Sequence, residues 1–312
     1  MIVIAEMMDP SGIERLSGYE EVHYDPDLFR KPDALSQWLA RAQALIVRNQ
    51  TPVTAELLAS APVLQVVGRL GVGLDNLDCL AAKRQGVRIV TAQGANAVAV
   101  AEYVFACLLN AIRPLEAVGA RVKAGEWDRT RGGGELFGKT LGLVGLGDIA
   151  TRVAFRARSF GMNVVAYDPW QVSAHLAAME LGVRLLEFPE VLRMADFLSV
   201  HVPLTEETHH LLDADALTHV KPGVYLINTS RGGVIDERAL ATAVTQGRLR
   251  GAALDVRAHE PPPADDPLRD LETVRTTPHI AGLTTEAGHR TALMVADDVL
   301  RVLAGQPPLG GV

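Results

Sequence analysis

Three residues in the last third of the chain are of the types needed to reduce a 2-oxo acid by hydride transfer. Arg231 follows the run Asn228-Thr229-Ser230, Glu260 follows Asp255-Val256, and His279 follows Thr277-Pro278. An arginine holds a carboxylate as a bidentate fork. A histidine titrates in the range required to protonate a forming alkoxide. A carboxylate beside that histidine favours the imidazolium and orients the ring. Taken singly, each has an ordinary reading. A lone histidine is more often structural, an arginine or glutamate is more often a solvated charge, and nine histidines dilute any choice. Position unites the three: each lies at or beyond the C-terminal end of a strand-like run, where parallel α/β sheets place ligands.

A glycine-rich turn provides the strongest single signal. The segment Leu141-Gly142-Leu143-Val144-Gly145-Leu146-Gly147-Asp148-Ile149-Ala150 holds G-x-G-x-x-A between an apolar strand-like run and a helical pattern. Gly145 permits the tight turn. Gly147 lets backbone approach a pyrophosphate, which the following helix N-terminus stabilises. The next strand-like run ends at Asp168, about 20 residues on, where an acid binds a ribose 2′-hydroxyl and repels a 2′-phosphate. Dinucleotide binding is therefore expected, with NAD favoured over NADP. The bland alternative is a glycine turn without a ligand. A second glycine turn, Gly71-Val72-Gly73, has no acid at that distance. Its backbone N–H groups suit a carboxylate instead.

The elements that must position these residues read as two alternating series. The first has β-rich runs at Met1–Ala5, Ala44–Asn49, Leu64–Gly68 and Val87–Thr91, with helical patterns at Asp33–Arg41, Thr54–Ser60 and Leu77–Gln85. The second has runs at Thr140–Val144, Asn163–Asp168, Phe197–Val202, Tyr225–Thr229, Gly251–Val256 and Val274–Thr277. Such alternation predicts βαβ units and parallel sheets, with helices covering both faces of the apolar strands. A long apolar helix is expected from Asn96 to Lys123, its broad apolar face reading either as core or as a subunit interface. A last helix over about Thr285–Ala304 is expected to cross back to the first series.

Length and composition bound the rest. A chain of 312 residues suits about two domains of ~150 residues. Lys and Arg number 30 against 37 Asp and Glu, a net charge of −7 with no basic block, which argues against nucleic acid or an anionic membrane as partner. The two cysteines form no C-x-x-C pair and read as reduced thiols. No metal site is expected. The N-terminus lacks a basic n-region, and no apolar run reaches membrane-span length, so the expected location is cytoplasmic.

The ordered motifs resemble those of the D-isomer-specific 2-hydroxyacid dehydrogenase family over essentially the full length. They are Arg69 to Asn76, Asn96 to Tyr103, Trp127 with Gly138-Lys139-Thr140, the Gly145 turn, His201-Val202-Pro203-Leu204-Thr205, Asn228 to Asp236, Asp255 to Pro261 and Thr277 to Gly282. The resemblance implies a catalytic triad of Arg231, Glu260 and His279. It implies NAD contacts from Gly145, Gly147, Asp148, Ile149, Asp168, His201, Val202, Pro203, Thr208, Thr229 and Asp255, the last holding the nicotinamide carboxamide. It implies substrate contacts from Leu70, Gly71, Val72 and Gly73 alongside Arg231, and a homodimer. The implied fold is a Rossmann domain over about residues 94–282 and a discontinuous flavodoxin-like substrate domain over 1–93 and 283–312, with NAD and substrate in the cleft that separates them.

Departures sharpen the expectation. Glu260 stands where the formate dehydrogenases of this superfamily use glutamine, which speaks against formate. Arg257 stands where relatives often carry an aromatic, and reads as a pocket-rim or solvent-facing residue. The sequence ends at Val312, so the regulatory domain of some phosphoglycerate dehydrogenases is expected to be absent. Arg48, at the end of the Ala44–Asn49 run, is a second cation for a second anionic group on the substrate, of the 3-phosphoglycerate, sulfolactate or glyoxylate/hydroxypyruvate kind. Asn49-Gln50 follows it where phosphoglycerate dehydrogenases have serine, which points to sulfonate or carboxylate. The alternative for Arg48 is a local pair with Glu56. The alternative for the whole chain is an NAD-binding corepressor-like interaction protein on the same fold.

Overall fold

The computed structural model describes residues 1–169 and 178–311, which divide into two compact units, Met1–Asn96 with Leu283–Val312, and Ala97–Gly282. In the first unit the elements are β1 (Ile2–Ile4), α1 (Pro10–Ser17), β2 (Val22–Tyr24), α2 (Pro32–Leu39), β3 (Ala44–Val47), α3 (Ala55–Ala59), β4 (Val66–Arg69), α4 (Cys79–Arg84), β5 (Arg88–Thr91) and a closing helix, Thr285–Leu303. The strands pair in parallel in the order β2-β1-β3-β4-β5, the flavodoxin-like arrangement.

Alternate side chains of these strands serve two cores. Val3, Leu45, Val47 and Val67 pack with Leu35, Leu39 and Leu58 on one face. Ile2, Ile4, Ile46 and Val66 pack with Leu16 and with Val295, Ala296 and Val299 of the closing helix on the other. Each such buried aliphatic contributes about 1.5–3 kcal/mol, so the apolar runs are explained by helices on both faces. Gly68 sets how near the closing helix comes: a Cβ there would lie 2.7 Å from Val295 Cγ1. Thr284 starts that helix by accepting the Ala287 amide at 3.1 Å.

The second unit contains α5 (Ala97–Ile112), α6 (Leu115–Lys123), β6 (Thr140–Val144), α7 (Asp148–Ser159), β7 (Asn163–Tyr167), β8 (Arg184–Leu185), α8 (Phe188–Met194), β9 (Phe197–Val200), α9 (Ala214–His219), β10 (Val224–Asn228), α10 (Glu237–Thr245), β11 (Leu249–Leu254) and β12 (Val274–Thr276). Its parallel sheet runs β12-β11-β10-β9-β6-β7-β8. From β6 the chain winds one way to β7 and β8, then returns to β9 on the other side. The carboxyl ends of β6 and β9 therefore flank the switch point at which doubly wound sheets bind dinucleotides.

Three details differ from the sequence reading. The single helix expected from Asn96 to Lys123 is two, bent by 51°. Pro114 cannot donate an amide and disfavours helical geometry at Arg113, which ends α5 at Ile112. Strands β2 and β8, of three and two residues, carry no alternation long enough to read. Among the described residues no single helix is long and apolar enough to cross a membrane. The bent pair passes by length and composition, but Val104, Phe105 and Leu108 of α5 lie in the core of their unit.

Candidate active site

The G-x-G turn is built by contacts at the switch point. Gly145 has φ of 91°, and a Cβ there would stand 3.0 Å from the His201 carbonyl oxygen, so only glycine fits where the β6 and β9 ends meet. Around Gly147 the reverse holds: a Cβ would meet nothing within 4 Å. That glycine is the N-cap of the twelve-residue α7 and supplies no side-chain cap, leaving the helix's first amides for another acceptor. Asp148 opens the helix and pairs with Arg152, while Ile149 packs on the core and Ala150 is fully buried where helix meets strand.

Asp168 follows β7, and its Oδ2 accepts the Leu146 amide at 2.7 Å. His201 donates its backbone amide to Val144 at 2.8 Å, and its Nε2 lies 2.9 Å from Ser199 Oγ. Desolvation pushes the His201 imidazole down to about 4, so it is neutral at pH 7. Val202 is buried. The Thr208 hydroxyl donates to the Pro203 carbonyl at 2.6 Å and accepts the Thr205 amide at 2.8 Å, which pins the loop after β9. Thr229, just past β10, has a buried Oγ1 with no hydrogen-bond partner. A buried hydroxyl without a partner, an open glycine and an uncapped helix N-terminus at one switch point fit a dinucleotide.

The carboxyl ends of the adjacent strands β10, β11 and β12 bring the three candidate reactive residues to one edge. His279 Nδ1 lies 2.9 Å from Glu260 Oε2, and both side chains are well exposed, at 43% and 39%. Glu260 is held by its other oxygen, which accepts the Arg257 amide at 3.1 Å. Arg231 ends a turn organised by buried Asn228, whose side chain accepts the Ser230 amide and donates to the Arg231 carbonyl. Its Nη1 donates to the Ser230 carbonyl at 2.8 Å. The next residue, Gly232, packs so closely on the chain at 257–258 that a Cβ would fall 1.9 Å from the Arg257 carbonyl carbon.

His279 itself has φ of 56°, a left-handed conformation uncommon for side-chain-bearing residues, among which Asn, Asp and His adopt it most. Asp255 holds it there. This aspartate is 1% exposed; its Oδ1 accepts the Thr277 hydroxyl at 2.6 Å and the Ile280 amide at 2.8 Å, and its Oδ2 accepts the Ala281 amide at 2.8 Å. Its own carbonyl accepts the His279 amide at 2.9 Å. Tyr103 of α5 joins through a hydrogen bond with Thr277, and its phenol is pushed above its usual range by burial. In this structure Asp255 is thus a brace for the His279 turn.

In the first unit the predicted substrate loop follows β4. Gly71 has φ of 145°, and a Cβ would strike the Arg69 guanidinium, which donates to the Leu70 carbonyl at 3.0 Å. Leu70 is buried and Val72 exposed. Among the described residues the amides of Val72 and Gly73 donate to no backbone carbonyl. Arg48 follows β3, whose last residue, Val47, pairs with Arg69 at the end of β4. The reading that paired it with Glu56 fails: among the described residues Arg48 makes no ion pair with a carboxylate. Its backbone is fixed by Glu6, 3% exposed, which accepts the amides of Arg48, Gln50 and Thr51, and by Asn76, which donates to the Arg48 and Thr51 carbonyls. Neither Glu6 nor Asn76 was legible as a loop brace, since their partners lie far along the chain.

Arg257 requires a correction. It is neither rim nor solvent-facing but 7% exposed, with Glu237 and Asp266 each bound to its guanidinium through two hydrogen bonds of 2.7–3.0 Å. A lone arginine in a loop reads as solvated unless its distant carboxylates are known.

A doubly wound sheet with a G-x-G turn at its switch point and an acid–histidine pair beyond neighbouring strand ends is the arrangement of a Rossmann-type nucleotide-binding domain. The NAD binding domain of the D-isomer specific 2-hydroxyacid dehydrogenases matches residues 105–281, and the chain belongs to that family. It is 45% identical to the D-3-phosphoglycerate dehydrogenase of Mycobacterium tuberculosis over 98% of this chain, of which it spans 57%. It is also 45% identical to the (S)-sulfolactate dehydrogenase of Chromohalobacter salexigens over 97% of this chain and 98% of that protein. The solved structure of the TT0316 protein from Thermus thermophilus superposes with a TM-score of 0.90 at 34% identity, covering 100% of this chain and 99% of that one.

Proposed function

We propose that the protein is an NAD-dependent D-2-hydroxyacid dehydrogenase, interconverting a small 2-hydroxy acid and its 2-oxo acid. The observation that carries this reading is the His279–Glu260 pair just beyond the end of β12. Reactive pair and G-x-G-x-x-A turn belong to the same seven-stranded sheet. Bound nicotinamide supplies or takes up the hydride. Arg231 holds the substrate carboxylate. Because Nδ1 of His279 is engaged by Glu260, Nε2 is the atom that gives a proton to the carbonyl oxygen in reduction and takes it from the hydroxyl in oxidation. Glu260 orients the ring through Nδ1.

On this reading Gly145, Gly147, Asp148 and Ile149 cradle the pyrophosphate and Asp168 takes the ribose hydroxyls. His201, Val202, Pro203, Thr208 and Thr229 line the rest of the cofactor site, and Asp255 bounds it as the brace of the His279 turn. The first unit is the substrate-binding domain: Leu70, Gly71, Val72 and Gly73 hold the carboxylate through backbone amides, and Arg48 takes a second anion. Relatives named for 3-phosphoglycerate and sulfolactate, whose substrates carry phosphate and sulfonate, support a doubly anionic substrate. Dehydrogenase relatives disfavour the corepressor reading. The apolar α5 supports a homodimer, and a monomer by light scattering at micromolar concentration contradicts it. The acidic net charge speaks against nucleic acid or an anionic membrane as partner, and we retain a cytoplasmic location as part of the proposal.

The test follows NADH absorbance with pyruvate, hydroxypyruvate, phosphohydroxypyruvate, sulfopyruvate, oxaloacetate and 4-methyl-2-oxopentanoate. Turnover of at least one is expected. No turnover of any would overturn the reading.

A further inference from the structure

Glu260 sits in a segment with no apolar anchor. Every residue from Ala258 to Asp265 is exposed, and the chain re-enters the core only at Leu268, 2% exposed. Nothing hydrophobic fixes where the Glu260 carboxylate stands. What closes the segment is polar. The Arg257 side chain, 5% exposed, binds Asp266 at the far end through Nη1–Oδ2 at 3.0 Å and Nη2–Oδ1 at 2.7 Å. On its other side it binds Glu237, the first residue of α10, through Nε–Oε1 at 2.9 Å and Nη2–Oε2 at 3.0 Å. Glu237 Oε1 also accepts the Ala258 amide at 2.9 Å, and Asp266 Oδ1 accepts the Leu268 amide at 3.0 Å. The backbone amide of Arg257 then reaches Glu260 Oε1.

We infer that the Arg257–Glu237–Asp266 triad is a positioning device that staples the Glu260 loop shut at its base and so sets Glu260 against His279. The inference rests on the dehydrogenase reading. Stability alone is a poor reason for such a cluster: a buried ion-pair triad is often no more stabilising than apolar residues of similar volume. An apolar side chain at 257 would fill the space but could not tie the exposed loop back to its far end. Two planar forks to two carboxylates fix the guanidinium in orientation as well as place, which lysine cannot reproduce. Glu237 on α10 and Asp266 at the loop's end are the carboxylates bound to Arg257, and Asp255 lies beneath the His279 turn.

The test is a double-mutant cycle in the reduction direction. Because a small misplacement of a reacting group costs one to two orders of magnitude, Arg257→Met should lower kcat about ten-fold or more, with KM for the 2-oxo acid within about two-fold. Arg257→Lys should recover only part of the rate. Added to Glu260→Gln, Arg257→Met should cost little more, because both act through one carboxylate. Effects that multiply, or a loss carried by KM rather than by kcat, overturn the inference. Should Arg257→Met fail to fold, Asp266→Asn keeps the acceptor for Leu268 and breaks the fork; it must show the same split. Hydrogen exchange separates the two readings. If the wild type reduces no acid, the dehydrogenase reading fails, while faster exchange at the amides of Arg257 and Ala258 in Asp266→Asn still reports the staple. Unchanged exchange there overturns it.

Discussion

The Leu146 amide donates to the Asp168 carboxylate at 2.7 Å, so the acid after β7 braces the glycine turn after β6. On the proposed reading, one residue would join the shape of the pyrophosphate turn to the recognition of the ribose. NADH should be strongly preferred over NADPH, because a 2′-phosphate would meet this carboxylate. Asp168→Ala should erode the preference mainly by raising KM for NADH, since the turn and the ribose contact are lost together. Equal kcat/KM for the two cofactors in the wild type would remove Asp168 from the role.

For acid catalysis, His279→Asn is the informative variant, because Asn tolerates the left-handed backbone that φ of 56° demands. Turnover should fall on the order of 10²-fold or more, as for loss of a positioned general acid. His279→Ala should lose as much rate and in addition some thermal stability. Glu260→Gln should lower kcat by about ten-fold, because the His279 ring loses the carboxylate that orients it through Nδ1. An unchanged kcat in Glu260→Gln would count against the pair.

His201 gives a stability prediction. Its imidazole is pushed from 6.5 down to about 4 by desolvation, so the unfolded chain takes up the proton first as pH falls. The contribution of neutral His201 is fully present above about pH 6.5, declines below it and is gone once the folded protein also protonates near pH 4. The loss is on the order of 1–3 kcal/mol. Denaturant midpoints of the cofactor-free protein from pH 7 to 4.5 should fall less steeply in His201→Gln than in the wild type. Parallel curves would show that the ring is not desolvated.

The proposed second-anion role of Arg48 can be tested directly. In the reduction panel, Arg48→Ala should lower kcat/KM for doubly anionic acids far more than for pyruvate. The loss should be on the order of 10-fold or more, given about 1.5–3 kcal/mol for a hydrogen bond to a charged group. Highest efficiency with 4-methyl-2-oxopentanoate, or unchanged discrimination in Arg48→Ala, would eliminate the second-anion reading.

Much of this protein follows from local sequence. The Gly145 turn, the acid at 168, the apolar strands and the strand-end positions of Arg231, Glu260 and His279 are visible because they depend on short-range rules. These are a turn that needs glycine, a strand buried on two faces, and a ligand site at strand ends. Tertiary structure decided what those rules do not reach. Arg257 reads as a solvated charge until the fold brings Glu237 and Asp266 to it from opposite directions along the chain. Asp255 reads as a ligand contact, yet its oxygens already accept donors from the turn that carries His279. Glu6 ends a strand like any surface acid until the loop after β3 wraps its amides around it. Periodicity records which side of an element is apolar. It carries no record of which distant polar group will satisfy a buried charge, because that partner is chosen by strand order and loop closure.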